Sequence, residues 1–440
     1  MSKKIHILGS GMAALGAAHH CHENNVDCVL FDKNPYPGGH TATFKHDNGF
    51  VFDDGPHISF TKDERLRSLF ASNVGGDVDK PVAVVNNYYH GNWIKHPVQT
   101  NLYNVPNALK TKCILDFIEV SSDKNPDKPA NYLDWLTKTY GETIATSFPA
   151  VYGTKYHTVG PELMSTVWIG PRMYRPTLEE VITGAIEEET DDVHYVSDFR
   201  YPKKDGFFAF LKPFCDKSEL HLDHEVSQID AAAKTIEFTN GHIEKFEQLV
   251  SSIPLDDLVP MIKDAPSDVL EAAAKLACTQ CVTVNIGVDR DDFTKATWTY
   301  IYDEDIVMTR LSFPHNMSPG TCPEGCGSIQ AEVYFSDKYK PMDVDADSLV
   351  DLVIKDLIRI GLLKEDENII HAEAKFIKHA NIIFDLDRED ALPIVHKWLD
   401  EIGINYVGRF GEWGYHWTDE AFKSGERGAR ETIEKMSQHG

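Results

Sequence analysis

Lys4-Ile5-His6-Ile7-Leu8-Gly9-Ser10-Gly11-Met12-Ala13-Ala14 is the stretch that decides the fold. The apolar run 4–8, closed by glycine, suits a buried parallel strand. The next six residues fit G-x-G-x-x-G/A with alanine as the third small residue. Residues 13–22 then read as a helix, and 26–31 as a second strand that ends in Asp32. Each position has a physical reason. Gly9 makes the tight turn, Gly11 lets a pyrophosphate approach the backbone, and Ala14 lets helix and strand pack closely. The helix N-terminus offers free N–H groups and a positive dipole end to the phosphates. Asp32, eighteen residues beyond Ala14, can accept hydrogen bonds from ribose hydroxyls. A lone glycine triplet is only a turn. Strand, helix, second strand and terminal acid together make a dinucleotide-binding unit.

Pro37-Gly38-Gly39-His40-Thr41-Ala42 follows shortly after Asp32. Taken alone it is a Pro-Gly turn. A nicotinamide-only enzyme has no need of a second glycine pair there. In the large flavoprotein group that includes amine oxidases, such a pair lets the chain pass beside the FAD pyrophosphate. The expected cofactor is therefore FAD.

The chain has 440 residues, 43 Lys plus Arg and 69 Asp plus Glu, for a formal charge of −26. That field repels nucleic acid and anionic membrane surfaces, so neither is an expected partner. An anionic small-molecule ligand needs a local island of cations. No apolar run approaches the ~18 residues of a membrane span, and the start, Met1-Ser2-Lys3-Lys4, is followed by too short an apolar run for a signal peptide. Eight scattered cysteines read as reduced thiols in a cytoplasm. Cys278-x-x-Cys281 with Cys322-x-x-x-Cys326 can also be read as four zinc ligands, but the first pair runs into the strand-like 282–286 and suits core thiols. No metal site is expected. No Ser-His-Asp set or HExxH is present to support a hydrolase.

Further strings extend the pattern: Gly49 to Ile58 ending in Gly55-Pro56-His57-Ile58, then W-x-x-x-P-x-Q-x-N-L from Trp93 to Leu102. Trp168-Ile169-Gly170-Pro171-Arg172, Phe199-Arg200-Tyr201-Pro202 and Gly408-Arg409-Phe410-Gly411-Glu412-Trp413-Gly414-Tyr415 follow. Over roughly residues 4–430 the set resembles UDP-galactopyranose mutases within the amine oxidase and protoporphyrinogen oxidase-like FAD superfamily. The resemblance implies five catalytic residues: His57 over the flavin, Arg172 in a mobile flap, Arg310 and Arg409 on the substrate diphosphate, and Tyr415 facing the substrate. It implies a cofactor set of Gly9, Gly11, Ala14, Asp32, Lys33, Gly38, Gly39, His57, Gly408 and Asp419, with Val226 on the strand whose backbone holds the adenine. Without it, His57 reads as a core histidine, the three arginines as surface ion-pair partners and Tyr415 as core packing. Three departures stand out. Met317 and, near the last segment, Asn381 replace two phosphate-binding tyrosines, and Asp205-Gly206-Phe207-Phe208 replaces a Gly-Gly-Thr-Gly. Two lost phenol–phosphate bonds, each worth ~1.5–3 kcal/mol, would weaken binding about a hundredfold or more.

The expected fold is α/β: a Rossmann-type FAD-binding domain built from discontinuous segments 1–65, 195–275 and 385–440, a mainly helical insert at 66–194, and an antiparallel β-sheet substrate domain at 276–384. Helices are expected at 130–140, 178–189 and 346–360, strands at 281–288, 298–302, 306–313 and 328–335, and a surface loop over 110–128. The first functional reading is a nucleotide-sugar mutase in which reduced FAD attacks the anomeric carbon through N5, with NADPH as one candidate reductant. The second is an FAD-dependent oxidoreductase acting on an amine or other carbon centre, and the third an FAD-binding protein without turnover. A small-molecule substrate is expected, and a homo-oligomer is compatible with the sequence.

Overall fold

The computed structural model describes residues 4–122, 127–193, 196 and 198–438. The opening unit folds as the sequence dictates. Strand β1 (Ile5–Leu8) leads into helix α1 (Met12–Glu23) and returns through strand β2 (Cys28–Phe31), all three lined with buried apolar residues. β1 is central in a five-stranded parallel sheet, paired with β2 on one side and Gln248–Ser251 on the other. Ile404–Tyr406 and Glu219–His221 complete its two edges. One sheet is thus drawn from the start, middle and end of the chain, the discontinuous Rossmann arrangement.

α1 crosses the C-terminal helix, Thr418–Gln438, at very short range. A Cβ on Gly16 would lie 2.2 Å from the Phe422 carbonyl oxygen, and one on Gly425 would lie 1.8 Å from that of Ala13. Only glycine permits this approach, and it fixes the axis of α1 against the sheet.

The second body is a seven-stranded sheet, in spatial order Ile369–Ile382, Cys278–Val288, Gly327–Phe335, Arg310–Ser312, Trp298–Ile301, Val85–Tyr89 and Asn92–Lys95. All neighbours are antiparallel except Trp298–Ile301 with Val85–Tyr89. The last two strands were expected in the helical insert; here Val85, Tyr88 and Ile94 bury their side chains on the sheet. The 14-residue strand Ile369–Ile382, which alternation did not flag, sets half-buried His371, Glu373 and Lys375 on one face and exposed Ile370 and Phe376 on the other, the reverse of the usual apolar-in, polar-out signal. Helix Ser348–Arg359 covers one face through Leu349, Val353 and Leu357.

The expected loop at 110–128 is corrected. Asn107–Ser121 is a 15-residue helix that buries Cys113 and Phe117, spaced one turn apart. The Ser-Asp-Pro signal belongs to the chain beyond it, where 123–126 lie outside the described residues, as do Met1–Lys3. The helices at Tyr132–Tyr140 and Leu178–Ile186 match their expected positions. Cys278 and Cys281 lie in the long central strand, Cys281 fully buried. Among the described residues these thiols join no group of three sulfurs within metal-ligand reach.

A short hairpin, Thr43–Lys45 with Val51–Asp53, links the two sheets. Asp53 closes it as a buried acceptor for the Thr43 hydroxyl (2.6 Å), the Tyr201 hydroxyl (2.5 Å) and the Phe207 N–H (3.0 Å). Burial nonetheless pushes its carboxyl up to about 6. The turn Gly55-Pro56-His57 leaves directly from this latch.

Candidate active site

A cavity of about 810 Å³ runs from the C-terminal end of β1 to the face of the large sheet. Its size falls within the range of small-molecule and cofactor sites. One end is a backbone cradle. Gly9 (φ +105°) turns the chain, and a Cβ there would strike the Ser252 hydroxyl at 2.1 Å. Gly11 caps α1 without a side-chain hydrogen bond to the helix N-terminus, which leaves its first N–H groups aimed at the cradle. The Gly38-Gly39 run closes the other wall: the Gly38 N–H donates to the Ser10 carbonyl at 3.1 Å, and a Cβ on Gly39 would approach the Gly11 Cα at 3.1 Å. Two glycine runs thus face each other across a slot that side chains would fill. Ala14 lies beneath it, fully buried.

Asp32 is held beside the slot by the Ser10 hydroxyl (2.6 Å) and the Asn34 N–H (2.8 Å). Lys33 stands exposed on the rim, and Val226 enters the wall with His224 and Glu225. These donors and acceptors fit a dinucleotide: N–H groups for the pyrophosphate, a carboxylate for a ribose, and a strand edge for the base.

At the middle of the cavity His57 donates from Nδ1 to the Gly55 carbonyl at 2.8 Å, because a carbonyl can only accept. Burial pulls its pKa down to about 4, and the neighbouring His40 is pulled down to about 3 by the same cause. Both rings are neutral at pH 7, and Nε2 of His57 is left as an acceptor.

The far end is built by the sheet. Register places Tyr300 opposite Arg310, and Arg310 opposite Glu332, on three adjacent strands. The Arg310 guanidinium makes a two-pronged pair with Glu332, whose Oε1 lies 2.8 Å from Nη2, and Glu332 also accepts from the Tyr334 hydroxyl at 2.9 Å. Burial opposes the charge on Arg310, but Glu332 holds it protonated and raises its pKa well above the ordinary value. Arg409, after Gly408 (φ +82°), donates to the His416 carbonyl from Nε (2.8 Å) and Nη2 (2.5 Å) and to Asn381 Oδ1 at 3.3 Å. Asn381 Oδ1 also accepts from the Tyr156 hydroxyl at 2.9 Å.

Two guanidiniums lie against the Tyr415 ring, Arg172 4.4 Å and Arg409 5.5 Å from its centroid. Arg172 donates to the Tyr415 carbonyl at 2.8 Å and lies behind that ring, off the cavity wall. The three arginines therefore do not all face the cavity: Arg310, engaged by Glu332, and Arg409 line it, and Arg172 does not. Asp419 also stands off the wall, accepting from the Thr61 hydroxyl at 2.7 Å. Met317 lines the cavity, as does Asn381. The lining carries as many Lys and Arg as Asp and Glu, in contrast to 43 against 69 in the whole chain.

Tyr156, Tyr300, Glu332 and Tyr334 were not singled out from sequence. Trp298-x-Tyr300 and Glu332-x-Tyr334 are period-two pairs in strands that were expected, and the polar member of such a pair was the available signal. Which face it would line depends on cross-strand register, which no local pattern supplies.

A family model of NAD(P)-binding Rossmann-like domains matches residues 7–72. A crystal structure of reduced UDP-galactopyranose mutase is similar over 99% of this chain and 94% of its own, with a TM-score of 0.92 and 26% identity. A protein of Exiguobacterium sp. 255-15 assigned as a protoporphyrinogen oxidase has a TM-score of 0.75 at 15% identity, over 98% of both chains. A putrescine oxidase variant redesigned in its cofactor binding has a TM-score of 0.67 at 13% identity, over 98% of this chain and 99% of that one. The last two share the fold.

Proposed function

We propose that this mutase-like member of the FAD-dependent amine oxidase and protoporphyrinogen oxidase superfamily binds FAD in the glycine cradle and acts on a nucleotide sugar at the far end of the same cavity. The observation that carries the reading is continuity. One cavity joins the dinucleotide cradle, a neutral His57, and a wall of arginine guanidiniums and tyrosine phenols. The overall likeness to a reduced UDP-galactopyranose mutase supports it.

Reduced flavin, when bound, supplies a nucleophilic nitrogen for the anomeric carbon of the sugar. The chain's own residues bind and orient. The cradle N–H groups take the cofactor pyrophosphate, and Asp32 takes a ribose. His57 presents an uncharged acceptor and avoids placing a cation there. Arg409 offers a planar guanidinium to a departing diphosphate, and Arg310 offers a charge tempered by Glu332. The buried phenol of Tyr300, whose pKa burial raises, stays protonated and serves as a hydrogen-bond donor to the sugar or phosphate, while the Tyr156 and Tyr334 hydroxyls donate to Asn381 and Glu332 and offer a ligand only their oxygens.

The test is anaerobic chromatography of UDP-galactofuranose incubated with dithionite-reduced protein. Conversion to the pyranose without oxygen consumption is expected. A second reading, net oxidation of a small molecule, is favoured by Met317 and Asn381 on the cavity wall, which provide no phenols for a diphosphate. Steady oxygen uptake with an amine and no sugar conversion would select it.

A further inference from the structure

Outside the cavity, where the linking hairpin meets the edge strand of the large sheet, three ligand-type side chains converge. His46 follows the first hairpin strand, and His371 and Glu373 sit two apart on Ile369–Ile382. Residues two apart on a strand share a face, and the next on that face, Lys375, pairs with Asp54 at 3.0 Å. One ring nitrogen of each histidine and a carboxylate oxygen of Glu373 lie within 4.8 Å of one another. His46 Nε2 is 3.2 Å, and His371 Nε2 3.7 Å, from Glu373 Oε1. Ligand bonds of ~2.0–2.1 Å at tetrahedral angles put donors ~3.3–3.4 Å apart. The two measured edges bracket that spacing.

Both Nε2 atoms are buried and neither has a hydrogen-bond partner, despite the nearby carboxylate. Two imidazoles with centroids 4.3 Å apart, each turning a ring nitrogen toward the same carboxylate, make a donor set of the kind that surrounds a cation. The rings are also fixed in place. The His46 turn is closed by the His46 N–H to the Phe50 carbonyl and the Gly49 N–H to the His46 carbonyl, both at 2.9 Å. Phe50 and Phe52 stack on His371 at 6.0 and 5.5 Å. Asn285 donates to Glu373 Oε1 at 2.9 Å, the kind of outer contact that orients a ligating carboxylate. Nδ1 of His371 lies 3.3 Å from the Asn48 side-chain amide.

We propose that His46, His371 and Glu373 bind a divalent transition-metal ion of the zinc class, tying the hairpin to the edge strand of the large sheet. Two imidazoles and one carboxylate select such an ion over Mg²⁺ or Ca²⁺, which need oxygen cages. The partly exposed carboxylate leaves a fourth position to water. The clip joins residues 46 and 371, which belong to different sheets, and braces the hairpin from which the His57 turn departs.

The test uses full-length protein stripped with a chelator and titrated calorimetrically with ZnCl₂ and with MgCl₂. One zinc per chain and no magnesium are expected. His46→Asn and His371→Asn should each weaken zinc binding at least about tenfold and remove the zinc-dependent rise in melting temperature. Circular dichroism of each variant checks that the fold is kept. A separate cluster, Asp256, Cys278 and His379, serves as control, because there His379 Nε2 is already hydrogen-bonded to Asp256 at 3.0 Å. Cys278→Ser should leave the zinc titration unchanged. Zinc bound equally well by both histidine variants, zinc lost in Cys278→Ser, or no binding above the variants would each overturn the proposal.

Discussion

Arg409 shows how a single residue can be separated from the cofactor site it adjoins. Its guanidinium is held by the His416 carbonyl and Asn381, while the cradle is made of backbone at positions 9–11 and 38–39. Arg409→Ala should keep its flavin and lose one charged hydrogen-bonding group to a diphosphate, worth ~1.5–3 kcal/mol. Calorimetry with UDP should therefore show affinity about tenfold to a hundredfold weaker at unchanged flavin stoichiometry. Loss of flavin would contradict the role. His157 gives a prediction about acid. It is 3% exposed, its Nδ1 has no partner, and burial pulls its pKa from 6.5 down to about 3. The unfolded chain takes the proton first, so stability is full above pH 6.5 and falls as pH drops toward 3. His57 acts the same way between 6.5 and about 4. Asp53 opposes them: its carboxyl is raised from 3.8 to about 6, so its contribution is full below 3.8 and lost as pH rises through 6. Urea unfolding should show a stability loss of about 2 kcal/mol at pH 5 relative to pH 7.5 from His157 alone, and His157→Gln should flatten the profile by that amount. An unchanged slope would mean that His157 is not buried neutral.

Elements are where the sequence was most and least legible. The β1–α1–β2 unit could be read because its constraints are local: a glycine turn, a small third residue and an acid at the strand end. Asn107–Ser121 was missed because a strong loop signal just beyond it masked two buried residues a turn apart. The strands Val85–Tyr89 and Asn92–Lys95 were read as part of the helical insert, since the strand that joins them to the large sheet, Trp298–Ile301, is some two hundred residues away from Val85–Tyr89. The contact between α1 and the C-terminal helix was also invisible, because its glycines matter only once the helices cross. It carries a prediction. Gly425→Ala puts a methyl within 1.8 Å of the Ala13 carbonyl oxygen. The helices must separate, at the ~1–3 kcal/mol typical of overpacking. Since α1 carries the cradle at its N-terminus, the melting temperature and the FAD affinity should fall together. An unshifted melting temperature would show that the crossing yields without strain.

At the scale of the whole molecule, the acidic chain concentrates enough cations around one cavity to balance the carboxylates there, as an anionic ligand requires. The candidate site was legible at its cradle, at His57 and at Arg409, which sit in short motifs. It was not legible where strands combine: the Tyr300–Arg310–Glu332 row exists only through register, and Arg172 and Asp419 stand behind the wall. The account rests on the two facing glycine runs holding a flavin dinucleotide, and one titration tests this most directly. Protein freed of bound cofactor is titrated with FAD while flavin fluorescence is followed, alongside Gly11→Val. In the wild type a Cβ at position 11 would make only ordinary contacts with the protein, 3.7 Å from the Gly38 carbonyl oxygen, so the valine variant should fold with its side chain in the slot. The account predicts one FAD per wild-type chain and none for Gly11→Val. Wild-type protein that binds no FAD, or a valine variant that binds it as tightly, would contradict it.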